Sequence, residues 1–204
     1  MTDFNPGDLP DLYLIRHGQT DWNLHGRFQG DSDIALNDTG KAQAEVLSQT
    51  MFERVAAGHL ATHELQIFAS PLLRARQTAG IITQRLAHPL GDIVIEPRLK
   101  ELSFGRWEGL TTLEVKKNFP DERRRRKADR WNFHPRNGES FAARVPSLLA
   151  FLESLHAPTV IVTHTGIIRL CMILLGARDR EKALVEEISQ DKIYLWSKGS
   201  LAAV

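Results

Sequence analysis

One cysteine in 204 residues, Cys171, leaves no partner for an internal disulfide, and there is no CxxC or Cys/His spacing of the kind that holds zinc. No apolar run approaches the roughly 20 residues needed to span a bilayer. The opening MTDFNPGDLPD is acidic and carries Pro6 and Pro10, which reads against a cationic, apolar secretion signal. Neither sign of charge dominates. With 26 basic and 25 acidic residues the net charge is +1, so no global field recruits nucleic acid or an anionic membrane, and any basic preference must be local. There is also no internal repeat and no low-complexity linker. These absences lead us to expect a cytoplasmic chain without metal or cofactor, with neither nucleic acid nor membrane as partner.

What the sequence does have is length enough for one sizeable core, 42% apolar residues, and an alternation of apolar runs with stretches of helical period. Leu12 to Ile15 and Leu65 to Ser70 read as short buried strands, GDIVIEP (91–97) as a third and PTVIVTHTG (158–166) as a fourth. Between the first two, Asn37, Asp38 or Thr39 can cap a helix whose apolar stripe is Ala42, Val46, Leu47 and Met51. After the second, Ser70 is the expected N-cap and Pro71 the first helical residue, with Leu72, Ala75, Ala79 and Ile82 along one face. A helix is expected over 140–156, with Pro146 in its first turns, and another in GIIRLCMILLG, closed by Gly176. The final DKIYLWSKGSLAAV reads as a hairpin turning at Lys198 and Gly199.

Alternating strands and helices imply a three-layer α/β/α sandwich on a mostly parallel sheet, in one domain spanning residues 1–204. In such sheets ligands bind outside the carboxyl ends of the strands. The residues leaving the strands are Arg16 and His17 after the first and His164 and Thr165 after the fourth. Arg74 lies one helical turn past the second strand, and Glu101 follows the third. Each has a plain structural reading. A histidine at a strand end is commonly a hydrogen-bonded structural group, Arg74 could share a helix surface with Arg76, Glu101 could be a salt-bridged loop residue, and Cys171 is packed core. Those readings would all have to coincide at one sheet edge, and two arginines, two histidines and a glutamate there make an anion site with acid/base chemistry.

The spaced motifs RHGQTDWN (16–23), FQGDSDIALNDTGKAQA (28–44), ASPLLRARQTA (69–79), ELSFGRWEG (101–109), NGES (137–140) and VTHTGIIR (162–169) resemble, in order, those of the histidine phosphatase superfamily, which includes cofactor-dependent phosphoglycerate mutases. The resemblance implies a phosphoglycerate mutase-like fold and a phosphohistidine formed on His17. It further implies Arg16 and Arg74 as phosphate-binding arginines, His164 as the second histidine and Glu101 as the proton donor. Asn23, Gln29, Gly30 and Thr165 join Arg16, Arg74 and His164 in binding substrate. The implied activity is a metal-independent, acid-type phosphomonoesterase acting on a small phosphorylated metabolite. Phosphoryl transfer of the mutase type is the alternative, and a non-catalytic module that binds a phosphorylated ligand or a protein is an alternative of another class. About 60 residues separate Glu101 from His164, little room for the longer insertion of a glycolytic mutase, and ELSFGRWEG looks more like the version in phosphatases, including those acting on ribazole phosphate. None of the core residues is missing, which weakens the non-catalytic reading.

The chemistry fits those roles. A neutral imidazole attacks phosphorus if its other nitrogen has an acceptor, which a backbone carbonyl can provide. Phosphoryl transfer spreads charge over three oxygens, and guanidinium groups meet it with permanent charge and forked donors. A basic insertion near 110–140 contains DERRRRKADRWNF, where a helix beginning at Pro120 would spread Arg123 to Lys127 and Arg130 around its circumference. That spread suits a solvated helix, and the sharper reading is a lid whose basic face meets substrate. The terminal hairpin offers an edge for a homodimer, leaving the oligomeric state open.

Overall fold

The computed structural model describes residues 4–58, 60, 65–86 and 93–204. In chain order the elements are β1 (Leu12–Arg16), α1 (Asp21–Leu24), α2 (Asp38–Ala56), β2 (Gln66–Ala69), α3 (Leu73–Arg85) and β3 (Val94–Ile95). There follow α4 (Thr112–Asn118), α5 (Pro120–Ala128), α6 (Phe141–Leu152), β4 (Thr159–Thr163), α7 (Thr165–Leu174), α8 (Arg180–Ala183), β5 (Ile193–Ser197) and β6 (Ser200–Ala203). Gly91 and Asp92, the expected start of the third strand, lie outside the described residues.

The strands form one six-stranded sheet in the order β3-β2-β4-β1-β5-β6. β3, β2, β4 and β1 are parallel, and β5 and β6 run antiparallel to close one side. Alternation along the central strands feeds two cores. Leu12, Leu14 and Ile161 face α6 and α7, packing with Phe151, Ile168 and Met172. Tyr13, Ile15, Val160 and Val162 face α2 and α3, packing with Leu47, Met51, Ala79 and Ile82. With helices on both faces, β1 and β4 are buried along nearly their whole length, which is why they read as continuous apolar runs. The closing hairpin turns through Lys198 (φ 49°) and Gly199 (φ 76°), the left-handed pair such a two-residue turn requires.

Two details of the sequence reading are corrected. The inward stripe of α2 is Gly40, Ala44, Leu47 and Met51, whereas Ala42 and Val46 face solvent. A purely hydrophobic count misses Gly40, which is buried because the chain at Gly18 and Gln19 crosses it at backbone contact. Second, α3 begins at Leu73 with Leu72 in the N-cap position, and Ser70 is not its cap. The Ser70 hydroxyl instead accepts the Leu72 N–H (3.3 Å) and turns to a histidine on β4's exit.

The crossing of Gly18 over Gly40 fixes the loop that leaves β1. A Cβ on Gly40 would collide with the Gln19 backbone, and one on Gly18 with the Gly40 carbonyl. Since neither side of that contact is a flexible side chain, Gly40→Ala should cost about 1–3 kcal/mol as an overpacking change, a fall in Tm of several degrees for a chain of this size. Thermal unfolding of Gly40→Ala checks this, and an unchanged Tm would mean that the crossing does not constrain the loop.

Candidate active site

Because Arg16 pairs with Thr163 in the parallel β1/β4 ladder, the next residue on each strand leaves the sheet beside its counterpart. His17 and His164 therefore stand together, with ring centroids 5.1 Å apart and planes tilted by 57°. The His17 N–H donates to the Thr163 carbonyl at 3.0 Å, so the strand pairing holds right up to the imidazole. His17 Nδ1 lies 2.7 Å from the Gly18 carbonyl. A carbonyl only accepts, so Nδ1 carries the proton of the neutral ring and Nε2 keeps its lone pair. Burial, then the charges of Arg74 and Arg16, hold the His17 pKa well below the ordinary 6.5, with the Gly18 bond opposing them.

His164 is fully buried against His17 and does not line the cavity itself. Its Nε2 is 2.7 Å from Ser70 Oγ. Burial is again the largest cause of a pKa well below 6.5, followed by Arg74, His17 and Arg16. If the Ser70 hydroxyl donates to Nε2, His164 Nδ1 carries the ring proton. That Nδ1 has no partner among the described residues.

The two expected arginines are clamped. Arg74, which emerges from the first turn of α3, is 1% exposed and not a surface residue like Arg76. Its terminal nitrogens donate to the carbonyls of Ser32 (2.6 Å) and Gly30 (2.8 Å). Arg16 donates to the Ile188 carbonyl at 2.7 Å. Burial lowers both pKa values, that of Arg16 to about 10, yet both remain cations at neutral pH. Each has a buried Nε with no acceptor among the described residues, as does the carbonyl oxygen of Gln29 for a donor. Unpaired buried donors on cations are costly, and Arg16 and Arg74 line one and the same cavity, which suits an oxyanion.

Glu101 reaches the same cavity on a loop tied to the sheet by the Thr163 hydroxyl, which donates to the Leu99 carbonyl (2.7 Å). Its carboxylate accepts N–H bonds from Leu102 (3.0 Å) and Gly166 (3.1 Å). Burial still dominates and raises its pKa above 4.5, against those N–H bonds and the charges of Arg74 and Arg169. Gly166 is the one residue that lets the helix backbone come so close, since a Cβ there would strike the Glu101 carboxylate. Asn23 has its carbonyl oxygen occupied by Thr20 and Gln190, which leaves its NH2 as the group available to a ligand.

These side chains enclose a cavity of about 160 Å³. Arg16, His17, Asn23, Gln29, Gly30, Arg74, Glu101 and Thr165 all line it. The sequence left the roles of Glu108 and Glu122 unread, and named Arg126 only as one of a basic run. Glu108 accepts from the backbone of Asp31, Ser32 and Phe104 and from the hydroxyls of Ser32 and Ser103, pinning the Gly30 loop to the Glu101 loop. Glu122, buried on α5, accepts from Arg106 and Trp107 (2.6 and 2.7 Å) and holds the basic helix down over the cavity. Arg126, one turn on from Glu122, is half-buried on the cavity wall. The motif ELSFGRWEG holds a signal for Glu108, whereas nothing local distinguishes Arg126 from its three arginine neighbours. Among the described residues no group of three or more His, Cys, Asp or Glu is placed to hold a metal ion, and no helix is long and apolar enough to cross a membrane.

The family model of the histidine phosphatase superfamily (branch 1) matches residues 12–193, a span that contains every residue of this cavity. The chain belongs to that superfamily. Its curated relatives include phosphatases and also proteins described as phosphoglycerate mutase-like or as a probable phosphoglycerate mutase. It is 32% identical over 176 residues to Phosphoserine phosphatase 1 of Hydrogenobacter thermophilus, covering 84% of this chain and 78% of that one. It is 33% identical over 179 residues to glucosyl-3-phosphoglycerate phosphatase of Mycolicibacterium vanbaalenii, covering 81% and 74%. Among solved structures, the alpha-ribazole phosphatase of Shigella flexneri superposes with a TM-score of 0.77 at 25% identity over 95% and 94% of the two chains.

Removing the Ser70 hydroxyl would leave His164 with both ring nitrogens unpaired. Ser70→Ala should therefore destabilise the fold by about 1–3 kcal/mol, the cost of an unsatisfied buried polar group. Urea unfolding measures it, and a loss below about 0.5 kcal/mol would show that the bond contributes little net.

Proposed function

We propose that this histidine phosphatase hydrolyses a small phosphorylated metabolite through a phosphohistidine on His17. The observation that carries the reading is the fixed His17 tautomer. Gly18 holds Nδ1–H, so the Nε2 lone pair is available at an electropositive cavity between Arg16 and Arg74. Nε2 attacks phosphorus, and the ester P–O bond breaks. Glu101, whose hold on its proton burial strengthens, gives that proton to the leaving oxygen, and the alcohol departs. Water then attacks the phosphohistidine, Glu101 takes its proton, the P–N bond breaks, and orthophosphate leaves. Arg16, Arg74 and the Asn23 NH2 stabilise the charge on the transferring oxygens, with Gln29, Gly30 and Thr165 around the bound group and His164 packed behind His17. Fixed cations do the work a divalent ion does in other phosphatases, so turnover should survive EDTA.

Hydrolysis is preferred to isomerisation because the three similar proteins compared in detail above are phosphatases acting on phosphoserine, glucosyl-3-phosphoglycerate and alpha-ribazole phosphate. Residues near 110–140 act as a cover over the cavity, latched through Glu122.

His17→Ala should abolish both turnover and acid-labile phosphate labelling; a variant that keeps normal turnover would falsify the nucleophile. Glu101→Gln should slow alkyl phosphates by about 10²–10⁴-fold while aryl phosphates with good leaving groups lose far less. Equal losses in the two classes would remove Glu101 as the acid.

The pH dependence follows from the signs of the two shifts. His17 is depressed below 6.5 and so stays nucleophilic into acid, and Glu101 is raised above 4.5 and so keeps its proton to higher pH than a free carboxyl. The first half-reaction needs neutral His17 and protonated Glu101 together. For alkyl phosphates, activity should peak on the acid side of neutrality, with an alkaline limb that disappears in Glu101→Gln. A profile whose alkaline limb survives that substitution would contradict the assignment.

A further inference from the structure

The cavity carries more positive charge than a phosphoryl group needs. Its walls present Arg16, Arg27, Arg74, Arg126 and Arg169 against the single carboxylate of Glu101, which burial drives toward its neutral form. Arg16 and Arg74 flank His17, and a phosphate dianion compensates those two. Arg27 is already engaged by the Gly109 carbonyl and, at 3.5 Å, by Glu114. Arg126 and Arg169 are left over.

Their surroundings differ from those of a structural arginine. The Arg126 guanidinium carbon lies 5.7 Å, 6.0 Å and 5.8 Å from the ring centroids of Phe28, Phe104 and Trp107. Three aromatic faces stabilise a cation and fix its direction, but they carry no net charge. The charged groups that Arg126 feels most are Arg130, Arg169 and Arg123, all of its own sign, and burial with that repulsion lowers its pKa to about 10. It has no carboxylate partner among the described residues. Arg169 is held by two hydrogen bonds to the Glu186 carbonyl (2.9 and 2.6 Å), and the Glu101 and Glu186 carboxylates offset part of its charge against the repulsion of Arg130. Arg169 also couples electrostatically to Arg16 and Glu101 on one side and to Arg126 on the other, so it links the two ends of the cavity.

We infer that Arg126, with Arg169, forms a second oxyanion subsite, and that the substrate is a phosphomonoester bearing a further carboxylate or phosphate a few bonds from the ester. This rests on the phosphatase reading and narrows it to a substrate class. A cavity of about 160 Å³ suits a compact molecule with both anions close together.

The test pairs substrates that differ in one anion: phosphoglycerate against glycerol phosphate for a carboxylate, and fructose bisphosphate against fructose monophosphate for a phosphate. Binding is measured by calorimetry on His17→Ala, which cannot turn over, and KM on the wild-type chain. Both are repeated with Arg126→Met, which keeps the contact with the aromatic rings and drops the charge, and with Arg126→Lys. At least one doubly anionic ligand should be preferred to its partner, and Arg126→Met should reduce that preference by about 10–100-fold, the range of a charge-assisted hydrogen bond, with partial rescue by Lys. A merely structural loss would weaken both members of a pair alike and leave their ratio unchanged. No preference in either pair, or a preference that survives Arg126→Met, overturns the subsite. A preference lost with Arg126 in the binding arm, with no phosphate released from any substrate, leaves the subsite standing and overturns the phosphatase reading instead.

Discussion

The parallel pairing of β1 with β4, with Arg16 opposite Thr163, sets the position of every other group at the cleft. Two central strands buried on both faces cannot slip by a residue without turning Leu12 and Leu14 out of one core and Tyr13 and Ile15 out of the other. That cost locks His17 next to His164. From the same ladder, Thr163 reaches across to the Leu99 carbonyl and brings in the loop bearing Glu101. The exit of β2, one strand further along, supplies Ser70 beneath His164 and then Arg74. The precision of the site is thus inherited from strand register, with loops adding only the last few ångströms.

Burial at the same edge works in opposite directions on the different groups. It holds His17 and His164 neutral, Glu101 toward its protonated form, and the arginines charged but with weakened hold on their protons. A neutral imidazole, a carboxyl shifted toward its protonated form and fixed cations are the combination that the proposed phosphoryl transfer through an imidazole calls for. Desolvation explains why one environment produces all three: it penalises whichever form is charged, and only guanidinium is basic enough to withstand it.

Much of this was legible in the chain. The alternation of apolar runs and helical stretches predicted the layered sheet, and the strand exits carried Arg16, His17, His164 and Glu101 toward one edge. The apolar stripe of α2 was misplaced because its innermost contact is glycine on backbone, which no hydrophobic pattern encodes. Ser70 was misread as a helix cap because a serine before a proline satisfies the local rule for capping, while its partner His164 lies 94 residues away in sequence.

Residue type and order, then, determined which groups leave the strands and what chemistry they can perform, because short-range patterning reports strands, helices and their ends. Only the tertiary structure decided which of four consecutive arginines turns inward. Arg126 does so because Glu122, one turn earlier, is tied to Arg106 and Trp107, and because Phe28 and Phe104 come from two other loops to meet it. Those contacts join segments distant in sequence, and their geometry exists only once the sheet has brought the loops together.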